Sequence, residues 1–215
     1  MDKFSKNVVL AHGLLTKSPI MAYLAYQLRQ LGYRTHFFNY RTLHFDSETT
    51  MSTLKQLCDG LDNIYFVGHS MGGLVLREFI QQHPSDKYKS VVTLGTPHSS
   101  SEFAKLVSKS ELNNLLGIND KSGLITDLKD YKGKPPLGSL AGDKAKGMFQ
   151  FYSRWAGQDT IEPNDGTVLV RETMDVNFKD HIVLPVSHSG MLISKDVVEQ
   201  IDYFFTNQKF KKRLI

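Results

Sequence analysis

The sequence predicts an α/β fold in which a mostly parallel sheet of about six strands has helices on both faces. Short runs rich in β-branched and aromatic residues alternate along the chain with patterns of helical periodicity, which is typical of this architecture. The 215 residues, 40% of them hydrophobic and 22% charged, are enough for one globular domain with a real core. Three glycines close to one serine, where a predicted strand meets a predicted helix, indicate where the chemistry is expected.

Each predicted element rests on its local sequence. Short apolar, β-branched and aromatic runs predict the strands, which are 7–12, 33–39, 63–68, 89–95, 148–155 and 181–186. Helical patterns predict the helices, which are 18–31, 47–59, 71–82 and 195–207. In the first helix Leu24, Leu28 and Leu31 form one apolar stripe, which we expect to face the core. The last helix carries an equivalent stripe, Val197, Val198, Ile201 and Phe204.

The segment from about 99 to 147 interrupts the alternation of strands and helices. It begins with a helical pattern and then becomes rich in glycine, proline and lysine, and Pro135-Pro136 excludes regular helix there. Long segments of mixed character inside a compact α/β domain often form a lid or a binding loop. We therefore expect a single domain, 1–215, with a lid-like insertion at about 99–147.

Charge and cysteine content limit the expected partners and compartment. The formal net charge of +4 is spread along the chain, apart from the basic stretch 209–215, which we expect to be a solvated end. Neither a nucleic-acid partner nor a transmembrane segment is predicted, although peripheral membrane contact stays possible. Cys58 is the only cysteine, so no intrachain disulfide can form, and no secretory signal pattern is present. A cytoplasmic protein is expected.

The stretch 68–72, "GHSMG", fits the pattern G-x-S-x-G between a predicted strand and a predicted helix. In a nucleophile elbow of this kind the serine occupies a sharp, strained turn, and glycines flank it because the two backbones pass too closely for side chains. Gly68, Gly72 and Gly73 meet that requirement, so Ser70 is the expected nucleophile. The alternative is an ordinary tight turn in which Ser70 caps the helix.

A nucleophilic serine needs a histidine base, and the chain order Ser, Asp or Glu, His favours one near the C-terminus. His181 opens the last predicted strand, whereas His188 lies just beyond its carboxyl end. Catalytic groups gather at the carboxyl ends of parallel strands, so His188 is the expected base.

The acid that orients the base is expected after the preceding strand. The turn "PNDGTV", 163–168, can hold a carboxylate at a fixed place, which makes Asp165 the first choice. Asp159 is its main rival, since it follows the predicted strand sooner. The other candidates are Glu162, Glu172 and Asp175. Alternatively, Asp165 bonds only to the backbone of its own turn.

The tetrahedral intermediate of such a serine needs two backbone N–H groups around its oxyanion. One is expected from Met71, directly after the nucleophile, and the other from Leu14, in the loop after the first strand. Gly13 would let the chain turn so that the Leu14 amide points inward. His12 and His69 are interpreted as structural residues that bond loop backbone.

Five blocks in this order, "VVLAHGLL", "GHSMGG", "GTPH", "NDGTV" and "SHSGML", resemble the α/β-hydrolase superfamily, and most of all its bacterial lipase and esterase branch. The resemblance covers roughly residues 7–205. It implies an α/β-hydrolase fold, a triad of Ser70, Asp165 and His188, and an oxyanion hole formed by the amides of Leu14 and Met71. It also implies that Thr96-Pro97-His98, within the "GTPH" block, closes this end of the sheet structurally. The chain departs from the branch's secreted lipases in having no cysteine pair.

The sequence therefore predicts a serine hydrolase that cleaves carboxylic esters through an acyl-enzyme, with no metal or organic cofactor. The expected substrate is a small-molecule ester or an acyl lipid. The leucines of the insertion either cover an acyl chain or pack on the core as an ordinary amphipathic helix. A thioesterase or acyltransferase with the same triad, and a non-catalytic binding protein on this scaffold, are the alternatives.

Overall fold

Six parallel strands form the centre of the computed structural model, which describes residues 6–99, 130–146, 162–175 and 177–212. The strands are β1 (Lys6–Ala11), β2 (Tyr33–Phe38), β3 (Ile64–His69), β4 (Tyr88–Leu94), β5 (Leu137–Gly142) and β6 (Asp180–Leu184). The helices are α1 (Ala22–Gln30), α2 (Ser47–Asp59), α3 (Met71–Gln82) and α4 (Lys195–Asn207). None of the helices in these ranges is long and apolar enough to cross a membrane.

The six strands lie in the order β2-β1-β3-β4-β5-β6, and because all of them are parallel, the loops that follow them lie at one edge of the sheet. Ala11 at the end of β1 pairs with Gly68 of β3, and Gly68 pairs with Thr93 of β4, so the carboxyl ends lie side by side. The chain passes from β1 to β2 on one side and to β3 on the other. In open α/β sheets a crevice forms at such a switch point and receives the ligand.

Helices cover both faces of the sheet, because successive residues of each buried strand point to opposite faces. Val8 and Leu10 of β1 pack in a cluster with α1 and α4, whereas Val9 and Ala11 pack in a second cluster with α2 and α3. Both faces of the strand are thus apolar and fully buried, as expected for a parallel sheet. The predicted fold class is confirmed.

The fifth strand differs from its predicted position. Leu137–Gly142 is completely buried between β4 and β6, within the segment 99–147 that the sequence assigns to an insertion. The end of that segment therefore belongs to the sheet, while residues 100–129 lie outside the described part of the chain, as does the predicted strand 148–155. A Cβ atom on Gly138 would lie 2.5 Å from an atom of the Phe204 ring, so packing requires glycine at this position. Because glycine is uncommon in strands, the sequence gives little indication of this strand.

The other elements agree closely with the sequence, with one exception in a predicted apolar stripe. Leu24 and Leu28 are buried, but Leu31, which lies just after the end of α1, is 48% exposed. The predicted start of this helix is a 3-10 turn, Ser18–Met21. All four predicted core residues of α4 are buried, and so is Cys58.

Candidate active site

Ser70 is the one residue between the end of β3 and the start of α3, and its backbone is strained. Its φ of 53° and ψ of −125° lie in a region that residues with a side chain rarely adopt. Its side chain makes no capping hydrogen bond to the helix. Ser70 occupies the N-cap position of α3, but the alternative in which its side chain caps the helix is wrong.

The glycines around Ser70 allow β3 and α3 to approach each other closely, as the sequence predicts. A Cβ atom on Gly68 would lie 2.5 Å from the Cα of Gly73, and one on Gly72 would collide with the carbonyl oxygen of Ala11. A Cβ atom on Gly73 would overlap the side chain of Thr96. Each of these contacts leaves room for a hydrogen atom only.

Two residues that follow each other closely at the end of β4 hold the backbone of Ser70. The Ser70 amide donates a hydrogen bond to the carbonyl oxygen of Leu94 at 2.9 Å, and the Thr96 hydroxyl donates one to the carbonyl oxygen of Ser70 at 2.9 Å. Thr96 belongs to the "GTPH" block, whose predicted role is structural. These bonds supply the restraint that a strained backbone needs in order to persist.

His188 and Asp165 form a hydrogen-bonded pair at the same end of the sheet. Nδ1 of His188 lies 2.7 Å from Oδ2 of Asp165, and the His188 amide donates to the Asp165 carbonyl oxygen at 2.8 Å. The Asp165 side chain is 1% exposed and that of His188 is 12% exposed. Because an ionised carboxylate only accepts, His188 carries its proton on Nδ1, and Nε2 is left for proton transfer.

Asp165 also bonds to its own turn, so both uses that the sequence suggests for it occur together. Its Oδ1 accepts hydrogen bonds from the amides of Thr167, at 2.9 Å, and Val168, at 2.7 Å, while Oδ2 is bonded to His188. The turn therefore holds the Asp165 carboxylate in place, and the carboxylate in turn orients the His188 ring.

The rival residues have other partners. His181 contacts the Thr173 hydroxyl at 2.9 Å. Oε2 of Glu172 accepts from the Leu169 amide. Glu162 forms an ion pair with Arg171, and Asp175 forms one with Arg77. Asp159 lies outside the described residues.

Gly95 and Gly13 allow close contacts between the loops of the candidate site. The sequence predicts no role for Gly95. Gly95 has a left-handed φ of 54°, and a Cβ atom there would lie 2.7 Å from Oδ2 of Asp165 and 3.0 Å from Nδ1 of His188. A Cβ atom on Gly13 would lie 3.0 Å from the Cβ of Ser70.

Among the hydrogen bonds of the described residues, none joins the Ser70 hydroxyl to His188. Such bonds are often long before a substrate binds.

The two predicted oxyanion donors occupy the expected places along the chain. Met71 is the first residue of α3, where an amide has no acceptor within the helix. Leu14 follows Gly13, which lies against Ser70. Helix α3 also directs the positive end of its dipole towards this position.

His12 and His69 each contact the carbonyl oxygen of a loop residue, as the sequence predicts. Nε2 of His69 lies 3.1 Å from the carbonyl oxygen of His188, and the two rings are 4.5 Å apart. Burial, followed by the nearby charge of His188, places the pKa of His69 well below its ordinary value. Burial also lowers the pKa of His12, whose Nδ1 lies 3.0 Å from the carbonyl oxygen of Gly13. Both histidines are therefore neutral near pH 7.

A buried polar cluster beside the site was not predicted from the sequence. Arg77 of α3 forms an ion pair of 3.4 Å with Asp175, and the two side chains are only 4% and 8% exposed. The same guanidinium donates to the carbonyl oxygen of His98 at 3.2 Å, and His98 contacts the Thr93 hydroxyl. The only signal in the sequence is an arginine within the apolar run "GLVLREFI".

Comparison with known proteins agrees with this architecture. Residues 6–121, more than half of the chain, match the sequence profile of the family described as the alpha/beta hydrolase fold. No protein with a curated description matches the sequence.

Many solved structures are similar to this chain, including two forms of one lipase and a carboxyl esterase. The mature form of the Bacillus licheniformis lipase BlEst2 has a TM-score of 0.72 and 20% identity, over 95% of this chain and 92% of that one. Its propeptide form has a TM-score of 0.77 and 20% identity over 98% of this chain, which spans only 52% of that longer protein. A metagenomic carboxyl esterase has a TM-score of 0.67 and 17% identity, over 87% and 65% of the two chains. At these identities the likeness shows a shared fold.

Proposed function

Because the chain belongs to the α/β-hydrolase family, we propose that it is a serine hydrolase that cleaves carboxylic esters. The observation that carries the proposal is the 2.7 Å hydrogen bond between His188 and the buried Asp165, at the end of the sheet where Ser70 is strained. The ester as substrate class is supported by the fold neighbours, which are named as a lipase and a carboxyl esterase.

The proposed reaction proceeds through an acyl-enzyme. Nε2 of His188 takes the proton of the Ser70 hydroxyl as the oxygen attacks the ester carbonyl, and the amides of Leu14 and Met71 stabilise the oxyanion. The imidazolium then gives its proton to the departing alcohol. Water, activated by the same imidazole, attacks the acyl-enzyme and releases the acid with Ser70 restored. Asp165 holds the Nδ1–H tautomer and stabilises the charged ring, and no step needs a metal or an organic cofactor.

The neutrality of His69 suits this chemistry. Its ring is 4.5 Å from that of His188, which becomes positive when it accepts the serine proton. A second positive charge at that distance would oppose the transfer. Burial keeps the pKa of His69 low, so the neighbouring imidazole stays uncharged while His188 is protonated.

The direct test is hydrolysis of p-nitrophenyl esters of increasing acyl length by the wild type and Ser70→Ala. We expect the variant to lose about 10⁴-fold or more in kcat, because the nucleophile is gone, while its circular dichroism stays that of the wild type. Ser52→Ala, an exposed serine of α2, is the matched control and should keep full activity. If Ser70→Ala kept nearly full activity, the result would contradict the proposal.

The same assay separates the related activities. An optimum at short acyl chains with simple saturation identifies a carboxylesterase, whereas activation at an oil–water interface identifies a lipase. Thioesters that react faster than the matching oxygen esters identify a thioesterase, and products formed with added alcohols identify an acyltransferase. A folded wild type that cleaves none of these compounds would favour a binding protein.

A further inference from the structure

The carbonyl oxygen of Gly13 is held by two donors in the loop that follows β1, residues 12–16, which we term the oxyanion loop. Nδ1 of His12 lies 3.0 Å from this oxygen, and the Thr16 hydroxyl donates to it at 2.8 Å. A carbonyl oxygen only accepts, so neutral His12 carries its proton on Nδ1. Burial lowers the pKa of His12 and thereby favours this neutral form.

The orientation of the Gly13 carbonyl fixes the direction of the Leu14 amide. The two groups belong to one planar trans peptide, in which the C=O and N–H bonds point in opposite directions. A donor pair that holds the oxygen on one side therefore directs the N–H of Leu14 to the other side. This peptide adjoins the nucleophile, since a Cβ atom on Gly13 would lie 3.0 Å from that of Ser70.

The neighbouring peptide groups of the oxyanion loop are held as well. The Tyr40 hydroxyl donates to the carbonyl oxygen of His12 at 2.7 Å, and the Tyr40 ring stacks on the His12 ring at 4.6 Å. The Leu15 amide donates to the Thr42 hydroxyl at 3.1 Å. Leu15 has a left-handed φ of 57°, an unfavourable conformation that such bonds help to maintain.

We infer that Thr16 and His12 are positioning residues of the proposed hydrolase, which hold the Gly13–Leu14 peptide so that the Leu14 amide stays directed at the developing oxyanion. Neither side chain touches the reacting atoms in this scheme. The inference rests on the proposed function, because it needs an oxyanion beside Ser70. Thr16 is the better residue to test, since it is half-buried and its hydroxyl can be removed with little change in volume.

A purely structural role for Thr16 makes a different prediction from a positioning role. A hydroxyl that only stabilises its turn affects the unfolding free energy and leaves the rate of the folded enzyme unchanged. A hydroxyl that orients an oxyanion donor acts mainly in the transition state, so its loss lowers kcat with little change in KM. Binding of an inhibitor that forms an oxyanion on the serine should weaken in parallel with kcat.

The experiment compares Thr16→Val, which lacks the donor, with Thr16→Ser, which keeps it. The control is Thr53→Val, which removes an exposed hydroxyl bonded to the carbonyl oxygen of Thr49 on α2. We measure kcat and KM on the best p-nitrophenyl ester, and the inhibition constant of a trifluoromethyl ketone with the same acyl chain. For Thr16→Val we expect about a tenfold fall in kcat, an unchanged KM and about tenfold weaker inhibition. Thr16→Ser and Thr53→Val should stay within about twofold of the wild type.

Each outcome distinguishes the inference from the function on which it rests. An active wild type together with a Thr16→Val variant of equal kcat and equal inhibition overturns the inference and leaves the proposed function intact. A change in KM alone overturns it too. A Ser70→Ala variant as active as the wild type removes the proposed function, and the inference falls with it.

Discussion

At the scale of single residues, two left-handed backbones meet at the candidate site. Ser70 has a φ of 53° although it carries a side chain, which costs about 1–2 kcal/mol, whereas Gly95 has a φ of 54° at little cost. Gly95 is required for a second reason, because the carboxylate of Asp165 and the ring of His188 occupy the space of a side chain. Both the backbone conformation and the lack of space for a side chain therefore require glycine at position 95.

Gly95→Ala is therefore expected to impair catalysis strongly. The added methyl group would lie 2.7 Å from Oδ2 of Asp165 and would displace Asp165 or His188, the proposed acid and base. We expect kcat/KM for ester hydrolysis to fall about 10²-fold or more, since a shift of about 1 Å in a reacting group has that effect. The measurement is kcat/KM beside a thermal unfolding curve.

Gly32→Ala is the matched control for that variant. Gly32 also has a left-handed φ, 88°, but apart from its chain neighbours no described residue lies within 4 Å of its added Cβ. It should lose about 1 kcal/mol of stability and keep its activity. Equal activity of Gly95→Ala and Gly32→Ala would show that Gly95 is needed for its backbone alone.

At the scale of elements, helix α3 joins the proposed nucleophile to the segment that carries the proposed acid. The helix begins next to Ser70, and its Arg77 is paired with Asp175, at the end of the described stretch 162–175 that contains Asp165. The side chains of this ion pair are almost completely buried, so neither charge has water as an alternative partner.

Arg77→Met should destabilise the protein by about 3–5 kcal/mol, because it leaves the Asp175 carboxylate buried without its counter-charge. The measurement is the urea-induced unfolding free energy. The double variant Arg77→Met/Asp175→Asn should recover part of the loss. Lys55→Met, which breaks the exposed Lys55–Asp59 pair, should change stability by less than about 1 kcal/mol. A loss for Arg77→Met as small as that of the control would contradict the prediction.

At the scale of the whole molecule, buried neutral histidines should make stability depend on pH. His69 and His98 have pKa values well below the ordinary 6.5, with burial the largest cause for each. Below pH 6.5 these histidines bind protons in the unfolded chain but stay neutral in the folded protein. The free energy of unfolding is therefore intact above pH 6.5 and falls as the pH decreases.

Between pH 7 and pH 5 each histidine that takes up its proton only on unfolding should remove up to about 2 kcal/mol. Urea unfolding at pH 7, 6 and 5 measures the total. His98→Gln should lose less unfolding free energy over the same pH range, because the variant lacks one histidine that binds a proton only when the chain unfolds. Identical pH dependence in the variant and the wild type would mean that His98 does not contribute.

The sequence predicts most of this fold because buried parallel strands are continuous apolar runs. It misses β5, whose Gly138 and Gly142 make room for the Phe204 ring and the Val186 backbone, which come much later in the chain. Likewise Ser70 is evident from a local pattern, chain order and strand position indicate His188, and the turn "PNDGTV" indicates Asp165. The pairing of Arg77 with Asp175 leaves no local signal, because only the folded sheet brings them together.

The junction between β4 and β5 divides the proposed chemistry between two parts of one polypeptide. Ser70 and both proposed oxyanion amides precede β5, whereas Asp165 and His188 follow it. If the protein were produced as two fragments, one ending after β4 and one beginning before β5, neither would contain a complete set of reacting groups. Ester cleavage would then report reassembly of the sheet along this one edge. The colour released from a p-nitrophenyl ester would become a read-out for any two proteins fused to the fragments.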